Sequence, residues 1–248
     1  MFEGKVIIVT GGASGIGNAI CRKFAEYGGA VALLDILVEK GTAAAADIDR
    51  LPGSCTFFQV DATHRDEVNQ TVKKTIKQFG KVDVLINNIG WNNPVPFLQT
   101  EEDTWYSLIE GNLMTTLRFS KAVLPTMIER GSGSIVNMGS VAGMHPWPGS
   151  IAYGAAKAGI ISVTRSLASS YAAKGIRVNC ICPGPVETDL FQRLIKNSPD
   201  YAKNVIDRVA SKRVGSTEEI AESAAFLCSD RGSFINGAIL PVDGGFGL

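Results

Sequence analysis

Short apolar runs alternate with longer amphipathic segments along almost the whole chain. The runs are rich in Val, Ile and Leu and are continuous, as in strands that are buried on both faces. They predict seven strands, at Lys5–Thr10, Ala30–Asp35, Thr56–Val60, Val82–Asn87, Ser134–Met138, Ile176–Ile181 and Ala238–Pro241. The segments between them predict helices at Gly15–Tyr27, Val38–Ile48, Arg65–Phe79, Glu101–Arg130, Ala152–Ala173 and Thr217–Ser229.

This order of strand and helix is typical of an α/β protein with a parallel sheet and helices on both faces. Right-handed crossovers then give the doubly wound Rossmann arrangement, here with seven strands. The sequence contains no linker or repeat, so we predict a single domain over residues 1–248, in which only Pro185–Lys203 looks loose. Ligands of such sheets bind beyond the carboxyl ends of the strands, where functional motifs are therefore expected.

Composition excludes several classes of protein. Lys plus Arg and Asp plus Glu both number 24, so the formal net charge is zero, and there is no basic run of the kind that binds nucleic acid. No apolar stretch reaches the roughly 18–20 residues that span a bilayer, and the N-terminus does not resemble a secretory leader. We therefore expect a cytoplasmic protein without a nucleic-acid or membrane partner.

The five cysteines agree with a cytoplasmic location. They are odd in number and lie among apolar residues, as reduced thiols in a protein core do. Cys180 and Cys182 fall in the sixth predicted strand, and we expect their side chains on opposite faces and no metal site.

The first predicted strand ends in the glycine-rich turn Thr10–Gly17, with the spacing G-x3-G-x-G. Glycines allow a tight turn and let backbone N–H groups approach a pyrophosphate, and the positive end of the following helix adds to this attraction. The absence of G-K-[ST] disfavours a nucleoside-triphosphate loop. The alternative is a plain turn from strand to helix. The predicted cofactor contacts here are Gly11, Ser14, Gly15, Ile16 and Gly17.

Acidic and amide groups end the next three strands. Asp35 closes the second strand, where a carboxylate can accept both hydrogen bonds of an adenosine ribose and repel a 2′-phosphate, so we predict NAD over NADP. The alternative is that Asp35 caps the next turn. Asp61 and Ala62 follow the third strand and are predicted near adenine. Asn88 and Gly90 follow the fourth strand, although Asn88 can equally cap a loop.

Four polar residues suggest catalytic chemistry. Tyr153 and Lys157 are four residues apart in a predicted helix and so share one face. A nearby ammonium favours the phenolate, which predicts a lowered pKa for Tyr153 and a role as a base. Ser140 follows the fifth strand and can reach the same crevice, and Asn112 lies inside the long helix Glu101–Arg130. Each of these four residues also has a structural explanation. The alternative for Tyr153 and Lys157, for example, is an aromatic anchor beside a solvated lysine.

Together these motifs resemble the short-chain dehydrogenase/reductase family. T-G-x3-G-x-G, N-N-x-G, the helical Asn, the Ser, Y-x3-K and a later P-G occur in the family's order and at its spacing over essentially the whole chain. The resemblance implies that Tyr153 exchanges a proton with the substrate oxygen and that Ser140 polarises it. It implies that Lys157 lowers the pKa of Tyr153 and binds the nicotinamide ribose, while Asn112 holds a water of a proton relay.

The same resemblance extends to the segment after the sixth strand. It implies further cofactor contacts from Pro183, Gly184, Val186 and Thr188. It also implies a substrate lid at about residues 185–203 and a homotetramer.

The substrate itself is less well defined. The predicted pocket residues are Trp91, Ala142, His145, Trp147 and Leu190. The run N-N-x-G-W resembles that of family members acting on cyclic 2-hydroxyacyl-CoA esters, so the expected substrate is a small secondary alcohol or ketone, including a CoA thioester. A 3-oxoacyl-thioester reductase, a non-catalytic dinucleotide-binding protein and a nucleotide-sugar epimerase are the alternatives.

Overall fold

Seven parallel strands form one sheet in the computed structural model, which describes residues 1–147, 149–197 and 199–248, without the side chains of Leu190, Leu194 and Tyr201. The strands are β1 Val6–Thr10, β2 Ala30–Asp35, β3 Ser54–Gln59, β4 Val84–Asn87, β5 Gly133–Met138, β6 Ile176–Pro183 and β7 Ile239–Val242. Their order across the sheet is β3-β2-β1-β4-β5-β6-β7. The chain therefore reverses its direction of winding between β1 and β4, which confirms the predicted doubly wound fold.

Helices cover both faces of the sheet. They are α1 Gly15–Glu26, α2 Val38–Ile48, α3 Arg65–Phe79, α4 Glu102–Ile109, α5 Thr115–Glu129, α6 Ile151–Tyr171, α7 Asp189–Asn197, α8 Pro199–Asp207 and α9 Thr217–Cys228. Within the part of the chain that the structure describes, none of these helices is both long and apolar enough to cross a membrane.

The apolar core is divided by the sheet. Side chains of α1, α2 and α9 pack on one face, and those of α3, α5 and α6 pack on the other. Neighbouring residues of one strand serve both cores, since Ile7 belongs to the first and Ile8 to the second, and both are fully buried. This burial on both faces is why the strands are continuous apolar runs rather than alternating ones.

The predicted helix Glu101–Arg130 is interrupted. A π-helical turn at Glu110–Met114 separates α4 from α5, and Asn112 lies inside it. The hydroxyl of Thr116 donates to the backbone oxygen of Asn112 at 3.0 Å. In a regular helix this oxygen accepts a hydrogen bond from a backbone N–H one turn later. Such turns hold one extra residue and occur often at functional sites.

The segment expected to be loose, Pro185–Lys203, is largely helical. It contains α7 and the first part of α8, with Phe191 and Ala202 buried. The apolar sides of both helices therefore face the protein.

The expectation for Cys180 and Cys182 is wrong. Their sulfur atoms lie 3.8 Å apart, because side chains two residues apart on a strand point to the same face. None of the five cysteines forms a disulfide. Among the described residues, no group of three His, Cys, Asp or Glu side chains is arranged to hold a metal ion.

Candidate active site

A cavity of about 1030 Å³ opens at the carboxyl ends of the strands. It runs from the turn after β1, past the ends of β2 and β3, to the loops after β4, β5 and β6. This is the edge at which the sequence motifs were expected, because all seven strands are parallel.

The glycine turn forms one end of the cavity. Gly11, Ser14, Gly15 and Ile16 line it, and α1 begins at Gly15. Gly17 lies beneath the turn, where a side-chain Cβ would come within 2.0 Å of the backbone oxygen of Gly11. Only glycine allows this approach, which holds the start of α1 against the turn.

Asp35 joins the glycine turn to the end of β2. It lines the cavity, and its carboxylate accepts hydrogen bonds from the backbone N–H groups of Ala13 and Leu37, both at 3.0 Å. The bond to Leu37 is the predicted turn cap, and it coexists with a position on the cavity wall. The two residues after Asp35 are Ile36 and Leu37, both exposed and uncharged.

Asp61 and Ala62 line the cavity beyond β3. The pKa of Asp61 is lowered, chiefly because its carboxylate accepts a 2.7 Å hydrogen bond from the Thr63 hydroxyl and a second bond from the Thr63 backbone. His64, which directly precedes α3, lies 3.2 Å from the same carboxylate. This end of the cavity therefore carries negative charge.

The loop after β4 passes close to the polar centre of the site. The Asn88 side chain donates to the backbone oxygen of Gly11 at 3.1 Å, which ties this loop to the glycine turn. A Cβ on Gly90 would lie 2.5 Å from Asn112 Oδ1 and 2.9 Å from Lys157 Nζ. Both side chains thus reach the backbone of this loop, and only a glycine fits between them.

Lys157 is buried, with 4% of its surface exposed. Its ammonium donates to the backbone oxygen of Met138, at the end of β5, at 2.9 Å and lies 5.6 Å from the centre of the Tyr153 ring. Burial disfavours the charged form and lowers the pKa of Lys157 to about 8. The amine is therefore still mainly charged at neutral pH, at a cost in free energy.

The pKa of Tyr153 is raised, so the expected lowering by Lys157 is wrong in direction. Burial of the phenol is the main cause; the Ser140 hydroxyl acts in the opposite sense, and the Cys182 thiol adds to the increase. The amine of Lys157, which lies 5.6 Å from the centre of the ring, does not offset the effect of burial on the pKa of Tyr153. The chain by itself therefore holds the phenol protonated at neutral pH.

Ser140 and Asn112 complete the polar centre. The Ser140 hydroxyl accepts from the backbone of Ala142 at 3.1 Å and lines the cavity beside Tyr153. The Asn112 amide donates to the backbone oxygens of Trp91 and Leu108, both at 2.9 Å. Its Oδ1 atom is buried and has no hydrogen-bond partner among the described residues, which leaves an acceptor beside Lys157.

The chain after β6 forms another wall. Pro183, Gly184, Val186 and Thr188 all line the cavity. The Thr188 hydroxyl accepts from the first turn of α7, and a Cβ on Gly15 would lie 3.6 Å from the Thr188 methyl group. The wall therefore meets the glycine turn from the opposite side.

Three of the predicted substrate-pocket residues, Trp91, Ala142 and Trp147, line the cavity. His145 is not among the described lining residues, and its ring packs 6.3 Å from that of Phe246. The side chain of Leu190 lies outside the part that the structure describes.

Sequence reasoning did not single out the lining residues from α7 and α8. These are Asp189, Phe191, Arg193, Asn197 and Val205. The helical spacing of apolar residues within Pro185–Lys203 is the feature of the sequence that indicates these two helices.

Comparison with known proteins agrees with this geometry. A family model described as "Enoyl-(Acyl carrier protein) reductase" matches residues 11–247. The chain is 41% identical, over 97% of its length and 96% of the relative, to a 3-oxoacyl-(acyl-carrier-protein) reductase FabG of Chlamydia muridarum. It resembles the crystal structure of levodione reductase with a TM-score of 0.94 and 30% identity, covering 99% and 98% of the two chains. NAD⁺-bound xylitol dehydrogenase gives the same TM-score with 32% identity and coverage of 98% and 99%.

Proposed function

Because the chain belongs to the short-chain dehydrogenase/reductase family, we propose that it moves a hydride between a secondary alcohol carbon and NAD, with Tyr153 as the acid and base. The chain is an oxidoreductase acting on CH–OH groups, which sets aside the non-catalytic dinucleotide-binding protein. The observation that carries the proposal is the meeting of Tyr153, Lys157 and Ser140 at one cavity that also contains the glycine turn, with the buried Asn112 beside Lys157.

The residues present fit a dinucleotide. The glycine turn offers backbone N–H groups at the start of α1, whose first turn contains no acidic side chain. Asp35 would accept from the ribose diol, and its charge disfavours a 2′-phosphate. The uncharged neighbours Ile36 and Leu37 provide no compensating cation. A bound nicotinamide would accept or supply the hydride.

The polar residues handle the proton. Tyr153 gives its proton to the carbonyl oxygen during reduction and removes it during alcohol oxidation. Ser140 donates a hydrogen bond to the same oxygen and so favours the charge that develops there. Lys157 adds positive charge near the phenol, and the Oδ1 atom of Asn112 would accept a hydrogen bond from a water that relays protons between Lys157 and solvent.

A second candidate is the reduction of 3-oxoacyl thioesters. The 41% identity to a 3-oxoacyl-(acyl-carrier-protein) reductase is consistent with it. Cyclic 2-hydroxyacyl-CoA esters remain the proposed substrates for the oxidative direction.

We also propose that α7 and α8 act as the substrate lid. Phe191 and Val205 supply apolar surface to the cavity from these helices, and both are largely buried. The two helices connect to the sheet through the chain after β6, so closure would change the substrate side while leaving the glycine turn in place.

A homotetramer remains the proposed assembly. Leu98 and Tyr106, close to or within α4, are 96% and 65% exposed, which leaves apolar surface for another copy of the chain. Light scattering after size exclusion should give a mass near four times 26.3 kDa, and a monomeric mass would contradict the proposal.

Tyr153→Phe tests the proposed function. We expect kcat to fall by about 10²–10⁴-fold with any accepted alcohol, because the variant loses its proton carrier, while the Kd of NADH stays within about twofold. Tyr106→Phe is the matched control, since among the described residues the Tyr106 hydroxyl bonds only to Glu102 and the variant keeps the exposed aromatic ring. Activity of Tyr153→Phe close to that of the wild type would remove Tyr153 from the proposed role.

A substrate panel separates the two candidates. Formation of NADH from cyclic 2-hydroxyacyl-CoA or simple secondary alcohols favours oxidation, whereas efficient consumption of reduced cofactor with 3-oxoacyl-CoA favours the reductase. Isomerised product without net change in cofactor would point instead to an epimerase.

A further inference from the structure

A small apolar cluster lies beside the substrate side of the cavity and apart from the two main cores. It consists of Val141, Trp147, Val209 and Phe246, here called the tail cluster. Phe246 is 2% exposed, and its ring stacks on that of Trp147 with centres 5.3 Å apart and planes 19° apart. Trp147 lines the cavity, whereas Phe246 is not among the described lining residues.

The C-terminal tail, residues 244–248, is fixed by backbone hydrogen bonds. Phe246 forms an antiparallel bridge with Val209, just after α8. The N–H of Ser211 donates to the oxygen of Gly244 at 3.0 Å, and the N–H of Gly247 donates to the oxygen of Arg208 at 3.0 Å. The tail therefore holds the Phe246 ring in one place.

The members of the tail cluster come from three separate stretches of the chain: the connection between β5 and α6, the chain after α8, and the C-terminal tail. Val141 directly follows Ser140, and Val209 lies two residues after the end of α8. The Arg208 guanidinium lies 4.4 Å from the centre of the Phe246 ring and 5.6 Å from that of Trp147, which adds a cation–π contact to both rings. The cluster thus connects the C-terminal tail to the cavity wall and to the base of the proposed lid.

We propose that Phe246 is a positioning residue that fixes Trp147 as an aromatic wall for the apolar part of the substrate. The inference rests on the proposed function, because it assigns the side of the cavity at Trp147 to the substrate. Phe246 acts through Trp147 and not on the reacting atoms, and it is not among the described residues that line the cavity at the glycine turn or elsewhere. Loss of its ring therefore weakens substrate binding without weakening cofactor binding.

Phe246→Ala tests the proposal in the full-length protein. An aromatic pair contributes up to about 1.5 kcal/mol, so the KM of an accepted alcohol should rise roughly tenfold. The Kd of NADH, measured by fluorescence, and kcat should stay within about twofold. Phe246→Tyr keeps the stacked ring and should restore the KM of the wild type.

Leu248→Ala is the matched control, because Leu248 belongs to the same tail but is fully exposed. Its KM should equal that of the wild type. If Phe246→Ala does not fold, Phe246→Leu keeps the tail apolar and should raise KM about threefold. An unchanged KM in the Phe246 variants, or a rise in KM matched by a rise in the Kd of NADH, overturns the proposal.

A readout without turnover keeps this test separate from the proposed function. The chain has three tryptophans, so Trp91→Phe with Trp105→Phe leaves Trp147 as the only tryptophan, whose emission can be excited apart from that of the tyrosines. Adding Phe246→Ala should at least double quenching of Trp147 by acrylamide, and Phe246→Tyr should not. Unchanged quenching overturns the inference. A wild type without turnover on any alcohol overturns only the proposed function.

Discussion

Lys157→Met should make the folded protein more stable at neutral pH, although it removes a group of the proposed active site. Lys157 is buried, and burial lowers its pKa from 10.5 to about 8. Between these two pH values the unfolded chain binds more protons at this position than the folded chain does. The stability of the wild type therefore rises with pH through this window, while methionine contributes no such change.

The size of the effect follows from the two pKa values. A lowering from 10.5 to about 8 corresponds to about 3 kcal/mol of penalty for holding the charged amine in the protein at pH 7. The hydrogen bond to the Met138 oxygen offsets about 1 kcal/mol of this. Lys157→Met should thus gain about 2 kcal/mol at pH 7, and linkage predicts that the gain falls by about 2.5 kcal/mol by pH 10.

Urea unfolding of both proteins at pH 7 and pH 10 measures this difference. Lys174→Met, which removes an exposed amine just after α6, is the matched control and should change the free energy of unfolding by less than about 0.5 kcal/mol. A less stable Lys157→Met at pH 7, or a difference that does not change with pH, would refute the assignment of Lys157 as a buried amine with a lowered pKa.

Two further predictions concern the cofactor and the polar centre. Asp35→Asn removes the charge of this side chain but keeps a hydrogen-bond acceptor. The ratio of kcat/KM for NADH to that for NADPH should fall at least tenfold, because a hydrogen bond to a charged group contributes about 1.5–3 kcal/mol. A wild type that already prefers NADPH would contradict the cofactor proposal. Asn112→Leu leaves the backbone oxygen of Trp91 without its donor and removes the acceptor beside Lys157. The value of kcat should therefore fall more than tenfold, while the Kd of NADH changes little. A variant with the kcat of the wild type would exclude a role of Asn112 in proton transfer.

The sheet was predictable because its signal is local. A run such as Val6–Thr10 is apolar on both faces, and only a strand inside a parallel sheet needs that. The motifs were also placed correctly at one edge, because parallel strands bring their carboxyl ends together. This is why Asp35 and Asn88 both lie on the cavity although they are far apart in the chain.

Other features depend on contacts that a one-dimensional pattern does not contain. The raised pKa of Tyr153 results from the protein packed around the phenol, whereas the spacing to Lys157 reveals only one neighbour. The position of His145 depends on Phe246, about one hundred residues later. The interruption at Glu110–Met114 is invisible to helical periodicity, since the residues on both sides keep a helical pattern.

The π-helical turn at Glu110–Met114 restricts how the number of residues in the helical segment from α4 to α5 can vary. Each residue of a regular helix advances the direction of its side chains by about 100°. Deleting one residue from the turn would give an uninterrupted helix. It would also rotate α4 by about 100° relative to α5 about the helix axis. Phe119 and Val123 anchor the later half in the core, so the twist would fall on Asn112 and turn its amide away from Lys157. The extra residue of the π-helical turn therefore sets the direction in which the Asn112 amide points.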